Sequence, residues 1–212
     1  KTTLFNVISG YVEPTAGEIF LRGEPIHGLA PHHISERGVR RTFQNGGLFG
    51  EMTVLENVLT GLHVDINSSF FGLLFGTKAA RDAEREATAR ARKLLASMDM
   101  SEFADQQVKS LSGGQQRIVE IVRTVATAPP LMLLDEPAVG LSPPMRERMM
   151  EIIKRLAGEQ GVAILLIEHA IDLVMAGADV IVVLNAGEKI AEGPPQEIRE
   201  DRTVLEAYLG HV

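Results

Sequence analysis

The chain has 212 residues, of which 45% are hydrophobic and 23% are charged, a balance typical of one folded domain rather than a disordered segment. The absence of cysteine excludes disulfide scaffolds and thiolate metal sites. A net charge of −7 argues against nucleic acid as a general partner, because phosphate backbones bind to basic surfaces.

No apolar run is long enough to cross a bilayer, since the candidate at residues 70–75 is far too short. The first residues lack both a signal-peptide pattern and an initiating methionine. We therefore expect the natural start to lie upstream of Lys1, and any membrane attachment to go through a partner protein.

The first part of the chain predicts short strands followed by helices. Apolar residues at a spacing of three or four indicate helices. The charge-rich stretch over 77–98 also has one apolar stripe, as an amphipathic helix does. Strands are predicted over 17–22 and 39–43 with a turn at 23–25, helices over 52–63, 77–98 and 112–128, and a loop over 67–77.

The later part changes character, because short apolar runs there suit parallel strands buried on both faces. Strands are predicted over 131–134, 163–167 and 180–184, and helices over 143–156 and 170–176. Alternating strands and helices predict an α/β fold with a mostly parallel sheet. A mostly helical block over 44–128 interrupts this α/β domain.

Two acidic residues, Asp135 and Glu136, directly follow four apolar ones. A buried strand with this ending delivers carboxylates to the sheet edge where α/β proteins bind ligands. One carboxylate can hold Mg²⁺, while its neighbour orients or deprotonates an attacking water. By itself, the segment is equally consistent with a strand followed by a polar turn.

Ser112 and Gln115 have the spacing of a capping box at a helix start. Between them, Gly113 and Gly114 leave backbone N–H groups uncovered beside the positive end of that helix, a ready anion site. A capped helix without a ligand would leave the glycines unexplained, since two in succession weaken a helix start. The segment therefore favours phosphate binding.

Leu111-Ser-Gly-Gly-Gln115, upstream of an apolar strand ending in Asp135-Glu136-Pro137, resembles the signature and Walker B motifs of ATP-binding-cassette (ABC) ATPases. Other positions agree in order over essentially the whole chain. Lys1-Thr2-Thr3 resembles the end of a Walker A P-loop, Gln44 lies at the Q-loop position and His169 at that of the switch histidine.

The resemblance implies a P-loop NTPase fold with an inserted helical subdomain. Residues 1–43 would begin the ATP-binding core, 44–128 would hold the Q-loop and helical subdomain, and 129–212 would complete the core. The first strand and most of the P-loop are expected to precede Lys1, so we expect weak ATP binding without them.

ATP and Mg²⁺ are the implied ligands. Lys1 would reach the β- and γ-phosphates, Thr2 would ligate Mg²⁺, and Thr3 would lie near the α-phosphate. Asp135 would support Mg²⁺, and Gln44 would sense both the metal and the attacking water.

For hydrolysis, the resemblance implies that Glu136 polarises the water and that His169 contacts the γ-phosphate. The signature residues Ser112, Gly113, Gly114 and Gln115 would contact ATP bound to a second subunit, identical or different. The active form is then a dimer.

Other stretches most resemble the G-type ATPase of branched-chain amino acid importers: residues 38–44, 48–57, 67–77, 136–141, 165–169 and 207–210. This implies transmembrane permease subunits, a separate substrate-binding protein and a peripheral position on the cytoplasmic side of the plasma (inner) membrane. Importers of urea and other amides share much of the pattern, so both substrate classes stay open.

Three apolar residues after the Q-loop, Leu48, Phe49 and Met52, lie where such importers receive a helix of the permease. Packing inside the helical subdomain is an equally open interpretation of these residues.

Two positions depart from the common family pattern. Ser142 stands where an aspartate is usual, and Ala170 follows His169 where an aspartate is common. Cross-dimer contacts and the helix start after His169 are expected to differ accordingly. No metal pattern surrounds the other histidines, His27, His32, His33 and His63, which we interpret as structural or solvated.

Members of the family that act on DNA or ribosomes form a competing class. Those that organise chromosomes need a long coiled coil, and those that act in translation carry two cassettes and basic linkers, whereas this sequence has one cassette and is acidic. A cassette that does not hydrolyse ATP should have lost Glu136 or His169, and both are present.

Overall fold

The computed structural model describes residues 1–42, 47–62 and 77–209. The described α-helices are Thr2–Ile8 (α1), Pro31–Glu36 (α2), Val54–Leu62 (α3), Lys78–Ser97 (α4), Gly113–Val125 (α5), Pro143–Gln160 (α6), Ile171–Gly177 (α7), Pro195–Glu200 (α8) and Arg202–Leu209 (α9). The strands are Phe20–Leu21 (β1), Glu24–Pro25 (β2), Val39–Arg41 (β3), Leu131–Asp135 (β4), Ala163–Ile167 (β5), Ile181–Asn185 (β6) and Glu188–Gly193 (β7).

A parallel sheet is formed by β3, β4 and β5, with β4 in the middle. In its register, Asp135 at the end of β4 lies opposite Ile167 at the end of β5. The segments that follow these two strands therefore leave the sheet side by side. This confirms the predicted parallel α/β core and brings the second acidic residue close to the predicted histidine.

Strand β4 is buried on both faces, as its uninterrupted apolar run predicts. Met132 and Leu134 belong to a large cluster that includes buried residues of α3, α4, α5 and α6. Leu133 faces the other way and packs in a second cluster with Phe5 of α1 and Ile34 of α2. Helices thus cover both faces of the strand that carries the acidic pair.

Helices α3 and α5 approach each other closely. Val54, Val58 and Leu62 are buried at four-residue intervals along α3. At Gly61 a Cβ atom would lie 2.3 Å from the carbonyl oxygen of Arg123 on α5, a distance that no side chain can occupy. Glycine at this position sets the spacing of the two helices.

The long charged helix α4 matches its prediction. Thr77 caps the helix by accepting a hydrogen bond from the Ala80 N–H at 3.3 Å. Its apolar stripe is buried at Ala87, Ala91 and Leu95, while its many charged side chains face away. The charged side chains of α4 therefore form a solvated face.

The prediction that residues 180–184 form a parallel strand buried on both faces is wrong. These residues belong mostly to β6, which pairs antiparallel with β7, and Val182 is 50% exposed. The turn residues Ala186 and Gly187 both have positive φ, 47° and 92°. Two left-handed residues in succession form a tight hairpin turn, which returns the chain beside β6.

The predicted strand over 17–22 and turn over 23–25 are also wrong in their positions, because a similar hairpin turn lies between β1 and β2. Arg22 and Gly23 have φ values of 53° and 86°, so the turn lies there rather than over 23–25. The predicted strand over 17–22 is reduced to β1, which pairs antiparallel with β2.

The other predicted elements are present with shifts of a few residues at their ends. The predicted loop over 67–77 lies outside the described residues except at Thr77, and so does Phe43, the last residue of the strand predicted over 39–43. The division into 1–43, 44–128 and 129–212 stays a prediction. In the described part of the chain, no helix combines the length and apolar character needed to cross a membrane.

Candidate functional site

Asp135 is the last residue of β4 and is almost completely buried. Its Oδ2 atom accepts a hydrogen bond from Arg41 Nη2 at 3.0 Å, which forms a buried ion pair. Among the described residues no donor reaches its Oδ1 atom. One oxygen of this carboxylate is therefore neutralised, while the other keeps its capacity to accept a bond.

Glu136 turns away from the strand directly after Asp135. Its φ of 49° is left-handed, which is uncommon for a residue with a side chain. The turn is fixed by its own N–H, which donates to Ile167 O at 2.9 Å, and by Val139 N–H, which donates to Glu136 O at 3.2 Å. The two neighbouring carboxylates therefore point in different directions, as predicted.

The Glu136 carboxylate contacts His169, which follows the end of β5. Glu136 Oε1 and His169 Nε2 are 2.7 Å apart. Because an ionised carboxylate only accepts hydrogen bonds, Nε2 must carry the proton in this contact. The Glu136 side chain is 21% exposed and that of His169 is 63% exposed, so both are accessible to a ligand.

The predicted capping box is present at the start of α5. Ser112 Oγ accepts from Gln115 N–H at 3.4 Å, and Gln115 Oε1 accepts from Ser112 N–H at 2.9 Å. A Cβ atom at Gly113 would meet nothing within 4 Å, whereas one at Gly114 would lie 2.7 Å from Met145 Cγ. Gly113 thus exposes its backbone, whereas a side chain at Gly114 would require Met145 of α6 to shift.

The signature segment and the turn after Asp135 line one open cleft of about 520 Å³. Its walls include Ser112, Gly113, Gly114, Arg117, Glu136, Val139, Gly140, Leu141, Ser142 and Met145. The structure therefore brings the two most specific motifs of the sequence to a shared surface. Gln115, by contrast, directs its side-chain oxygen back onto Ser112.

Arg117 joins the two walls of this cleft. Its Nη2 donates to the carbonyl oxygen of Asp135 at 2.9 Å, and its Nη1 pairs with the buried Glu120 at 2.5 Å. The signature helix is thereby tied to the strand end that carries the acidic pair. Sequence reasoning missed Arg117, although its place one turn after the capping box was visible.

Lys1, Thr2 and Thr3 form the exposed beginning of α1. One turn further along this helix, Asn6 Oδ1 accepts a hydrogen bond from Arg41 Nη1 at 2.7 Å. Because Arg41 also binds Asp135, it connects α1 to the end of β4. Sequence reasoning missed Arg41 as well, since a contact between residues so distant in the chain leaves no local pattern.

Gln44 lies outside the described residues, and its predicted role stays a prediction. Ser142 begins α6 without a side-chain cap, and Ala170 likewise begins α7 without one. This agrees with the expectation of a softer helix start after His169.

A buried residue, Asn57, fixes the backbone of the predicted permease surface. Phe49 and Met52 are exposed. Asn57 of α3 is fully buried, accepts from Phe49 N–H at 2.8 Å and donates to Phe49 O at 3.0 Å and Thr53 O at 2.9 Å. Exposure favours the surface interpretation for Phe49 and Met52, whereas Leu48 packs against the large core cluster, as the packing interpretation predicts.

The start of α3 is fixed by a second capping box. Thr53 N–H donates to Glu56 Oε2 at 2.7 Å, and Glu56 N–H donates to Thr53 Oγ1 at 3.1 Å. The backbone hydrogen bond from Thr53, assisted by its hydroxyl, lowers the pKa of the Glu56 carboxyl. The loop that displays Phe49 therefore enters a well-capped helix.

Comparison with known proteins agrees with this geometry. Residues 1–139 match the family model of the ABC transporter, and residues 188–212 match the model described as branched-chain amino acid ATP-binding cassette transporter. The chain is 46% identical over 210 residues to the high-affinity branched-chain amino acid transport ATP-binding protein BraF of Pseudomonas aeruginosa. That alignment covers 99% of this chain and 82% of BraF.

Two solved structures are also similar. The ADP conformation of an ATP-binding cassette of an ABC transporter has a TM-score of 0.82 and 32% identity, covering 100% of this chain and 84% of that one. A dimeric cassette in a post-hydrolysis state, bound to ADP and Pi, has a TM-score of 0.72 and 27% identity, covering 92% and 80%. The chain therefore belongs to the ATP-binding cassettes of ABC transporters, a family of ATPases.

Proposed function

We propose that this chain supplies the energy for an importer of branched-chain amino acids by binding and hydrolysing ATP. The observation that carries the proposal is the contact between Glu136 and His169 beside the cleft that the signature glycines line. The substrate class is supported by the name of BraF and by the match of residues 188–212, which lies outside the catalytic motifs.

Nucleotide binding begins at the start of α1. Lys1 contributes a positive charge for the β- and γ-phosphates, Thr2 a hydroxyl for the metal, and Thr3 a contact near the α-phosphate. All three residues are exposed, which is consistent with a ligand-facing position. The link from Asn6 through Arg41 to Asp135 supports a common site for this helix and the end of β4.

In the hydrolytic step, water attacks the γ-phosphorus and the bond to the bridging oxygen of ADP breaks, which releases ADP and phosphate. Glu136 orients that water and accepts its proton, while Gln44 helps to orient it. His169 Nε2, which lies 2.7 Å from Glu136 Oε1 in this structure, serves as a hydrogen-bond donor to the γ-phosphate when ATP is present.

The residues available also fit Mg²⁺. Asp135 Oδ1 is a buried carboxylate oxygen that no donor reaches among the described residues, and carboxylate and hydroxyl oxygens are the ligands this cation prefers. We assign the binding of Mg²⁺ to Asp135, together with Thr2 and Gln44. When bound, Mg²⁺ neutralises phosphate charge. Arg41 holds the opposite oxygen of Asp135 and so fixes the orientation of the carboxylate.

The signature residues complete the site of a second subunit. Gly113 offers uncovered backbone at the start of α5, and Ser112 and Gly114 line the same cleft. Gln115 supports this surface through its bond to Ser112. The similarity to a dimeric cassette supports a dimer in which two ATP molecules lie between the subunits.

Energy reaches the membrane through partners. We assign the surface of Phe49 and Met52 to contact with a transmembrane permease subunit, which places this chain peripherally on the cytoplasmic side of the inner membrane. A separate binding protein would deliver the substrate on the other side.

Reconstitution of the protein, with its complete P-loop, and the cognate permease subunits in vesicles tests this function. We expect ATP-dependent uptake of leucine, isoleucine or valine in the presence of the binding protein, and no uptake of urea. ATP hydrolysis with uptake of urea instead would reassign the substrate, and failure to hydrolyse ATP would overturn the proposal as a whole.

A further inference from the structure

Glu168 lies between β5 and His169 and accepts hydrogen bonds from two different segments. Its Oε1 atom accepts from the backbone N–H of Ala138 at 2.8 Å. Its Oε2 atom accepts from the backbone N–H of His169 at 3.1 Å. One carboxylate therefore joins the turn after Glu136 to the segment that carries the histidine.

These bonds close a ring around the catalytic pair. Ala138 is two residues after Glu136, and His169 directly follows Glu168. The ring closes where His169 Nε2 meets Glu136 Oε1 at 2.7 Å. The Glu136 N–H bond to Ile167 O, at 2.9 Å, adds a further connection between the same two segments.

The ring explains how the backbone at Glu136 is kept in its uncommon conformation. A left-handed residue that bears a side chain persists only where its surroundings determine it strongly. Ala138 is buried, with 2% exposure, so its N–H requires a partner inside the protein. Glu168 is that partner, and the turn at Glu136 depends on it.

The chemistry calls for a carboxylate at this position. Two backbone N–H groups need two acceptor atoms, and an ionised carboxylate offers one on each oxygen. Glutamine offers one acceptor and one donor group, so it can satisfy only one of the two N–H groups. A change from glutamate to glutamine keeps the shape and breaks the bridge.

We propose that Glu168 is a positioning residue for ATP hydrolysis, which holds Glu136 and His169 in register by bridging the segments that carry them. The inference rests on the proposed function, since it assigns Glu168 a role through Glu136. In this proposal Glu168 acts through Glu136 and His169 and not directly on ATP or the attacking water.

The test compares Glu168→Gln with the unmodified chain in the assembled transporter. Because displacement of a catalytic group by about 1 Å can cost 10²-fold, we expect kcat for ATP hydrolysis to fall about tenfold to hundredfold. The KM for ATP should stay within about twofold, because Glu168 does not contact the nucleotide. Glu188→Gln removes the same charge from an exposed position of β7 and should leave kcat unchanged.

A double variant separates a positioning role from an independent one. If Glu168 acts mainly through Glu136, adding Glu168→Gln to Glu136→Gln should lower the residual rate by much less than Glu168→Gln lowers the rate of the unmodified chain. Equal kcat for Glu168→Gln and the unmodified chain, or a full additional loss in the double variant, would overturn the inference. Absence of ATP hydrolysis in the unmodified protein with its complete P-loop would instead contradict the proposed function.

Discussion

At the residue scale, the site depends on how the backbone separates two adjacent carboxylates. Asp135 continues the strand and is buried beside Arg41, whereas Glu136 adopts a left-handed φ of 49° and reaches His169. In the proposed function, the first side chain supports the metal and the second acts on water. The division of labour between the two acids follows from a single change in backbone direction.

The two signature glycines have different physical reasons to be glycine, which gives a matched pair of substitutions. Gly113→Ala places a methyl group in open space, whereas Gly114→Ala forces it against Met145. We expect Gly114→Ala to lower the free energy of unfolding by about 1–3 kcal/mol through overpacking, and Gly113→Ala to change it by less than about 0.5 kcal/mol. Urea unfolding of both variants measures this difference.

ATP hydrolysis, unlike stability, should depend mainly on Gly113. If the exposed backbone of Gly113 approaches phosphate, its methyl group should reduce ATP hydrolysis about tenfold or more while stability is kept. Gly113→Ala with full activity, or with the same loss of stability as Gly114→Ala, would contradict the different roles given to the two glycines.

The residues of the candidate site that belong to local sequence motifs could be predicted from the sequence. Ser112 and Gln115 form the expected cap, and Glu136 lies beside His169 because the strands that precede them are paired in register. Arg41 and Asn57 could not be found in the same way. Their partners are set by tertiary packing, and neither residue has a distinctive spacing.

At the element scale, the close approach of α3 and α5 supports the loop that displays Phe49. Gly61→Ala should push the helices apart, because its Cβ would lie 2.3 Å from the carbonyl oxygen of Arg123. We expect a net loss of about 1–3 kcal/mol in the free energy of unfolding, since overpacking outweighs the gain in helix propensity.

Gly158 in α6 is the matched control. A Cβ at Gly158 meets nothing within 4 Å, so Gly158→Ala should be neutral or stabilise the protein by up to about 1 kcal/mol. Thermal or urea unfolding of the two variants gives the comparison. Equal effects of the two substitutions would show that helix spacing at Gly61 is not a constraint.

The elements that the sequence predicted well are those with a clear period or a continuous apolar run. β4 was identified because helices cover both of its faces, and α4 because its apolar stripe repeats. β6 was assigned to the wrong kind of sheet, because a short apolar run does not reveal its partner. The glycine of the turn, Gly187, was the available signal for a hairpin.

At the scale of the whole molecule, the exposed Phe49 should transmit the effect of ATP hydrolysis to the permease. Phe49→Glu should reduce substrate uptake at least about tenfold while basal ATP hydrolysis stays within about twofold, because this side chain is 51% exposed and does not line the cleft beside Glu136. Vesicle uptake and phosphate release, measured on the same preparation, test the separation.

Phe20→Glu provides the control for this experiment. Phe20 is exposed to a similar extent, 55%, but belongs to the β1–β2 hairpin. Phe20→Glu should leave both substrate uptake and basal ATP hydrolysis unchanged. Joint loss of uptake and hydrolysis in Phe49→Glu would instead support a packing role within the helical region.

We propose above all that Glu136 acts on water while Asp135 supports the metal in the protein with its complete P-loop. Phosphate release and ATP-dependent dimer formation, measured together for Glu136→Gln and Asp135→Asn, test it most directly. Glu136→Gln should bind ATP, hydrolyse it more slowly by a factor on the order of 10² or more, and accumulate as a long-lived dimer in size-exclusion chromatography. Asp135→Asn should weaken Mg²⁺-dependent nucleotide binding and form no such dimer. Hydrolysis by Glu136→Gln at the unmodified rate would contradict the claim.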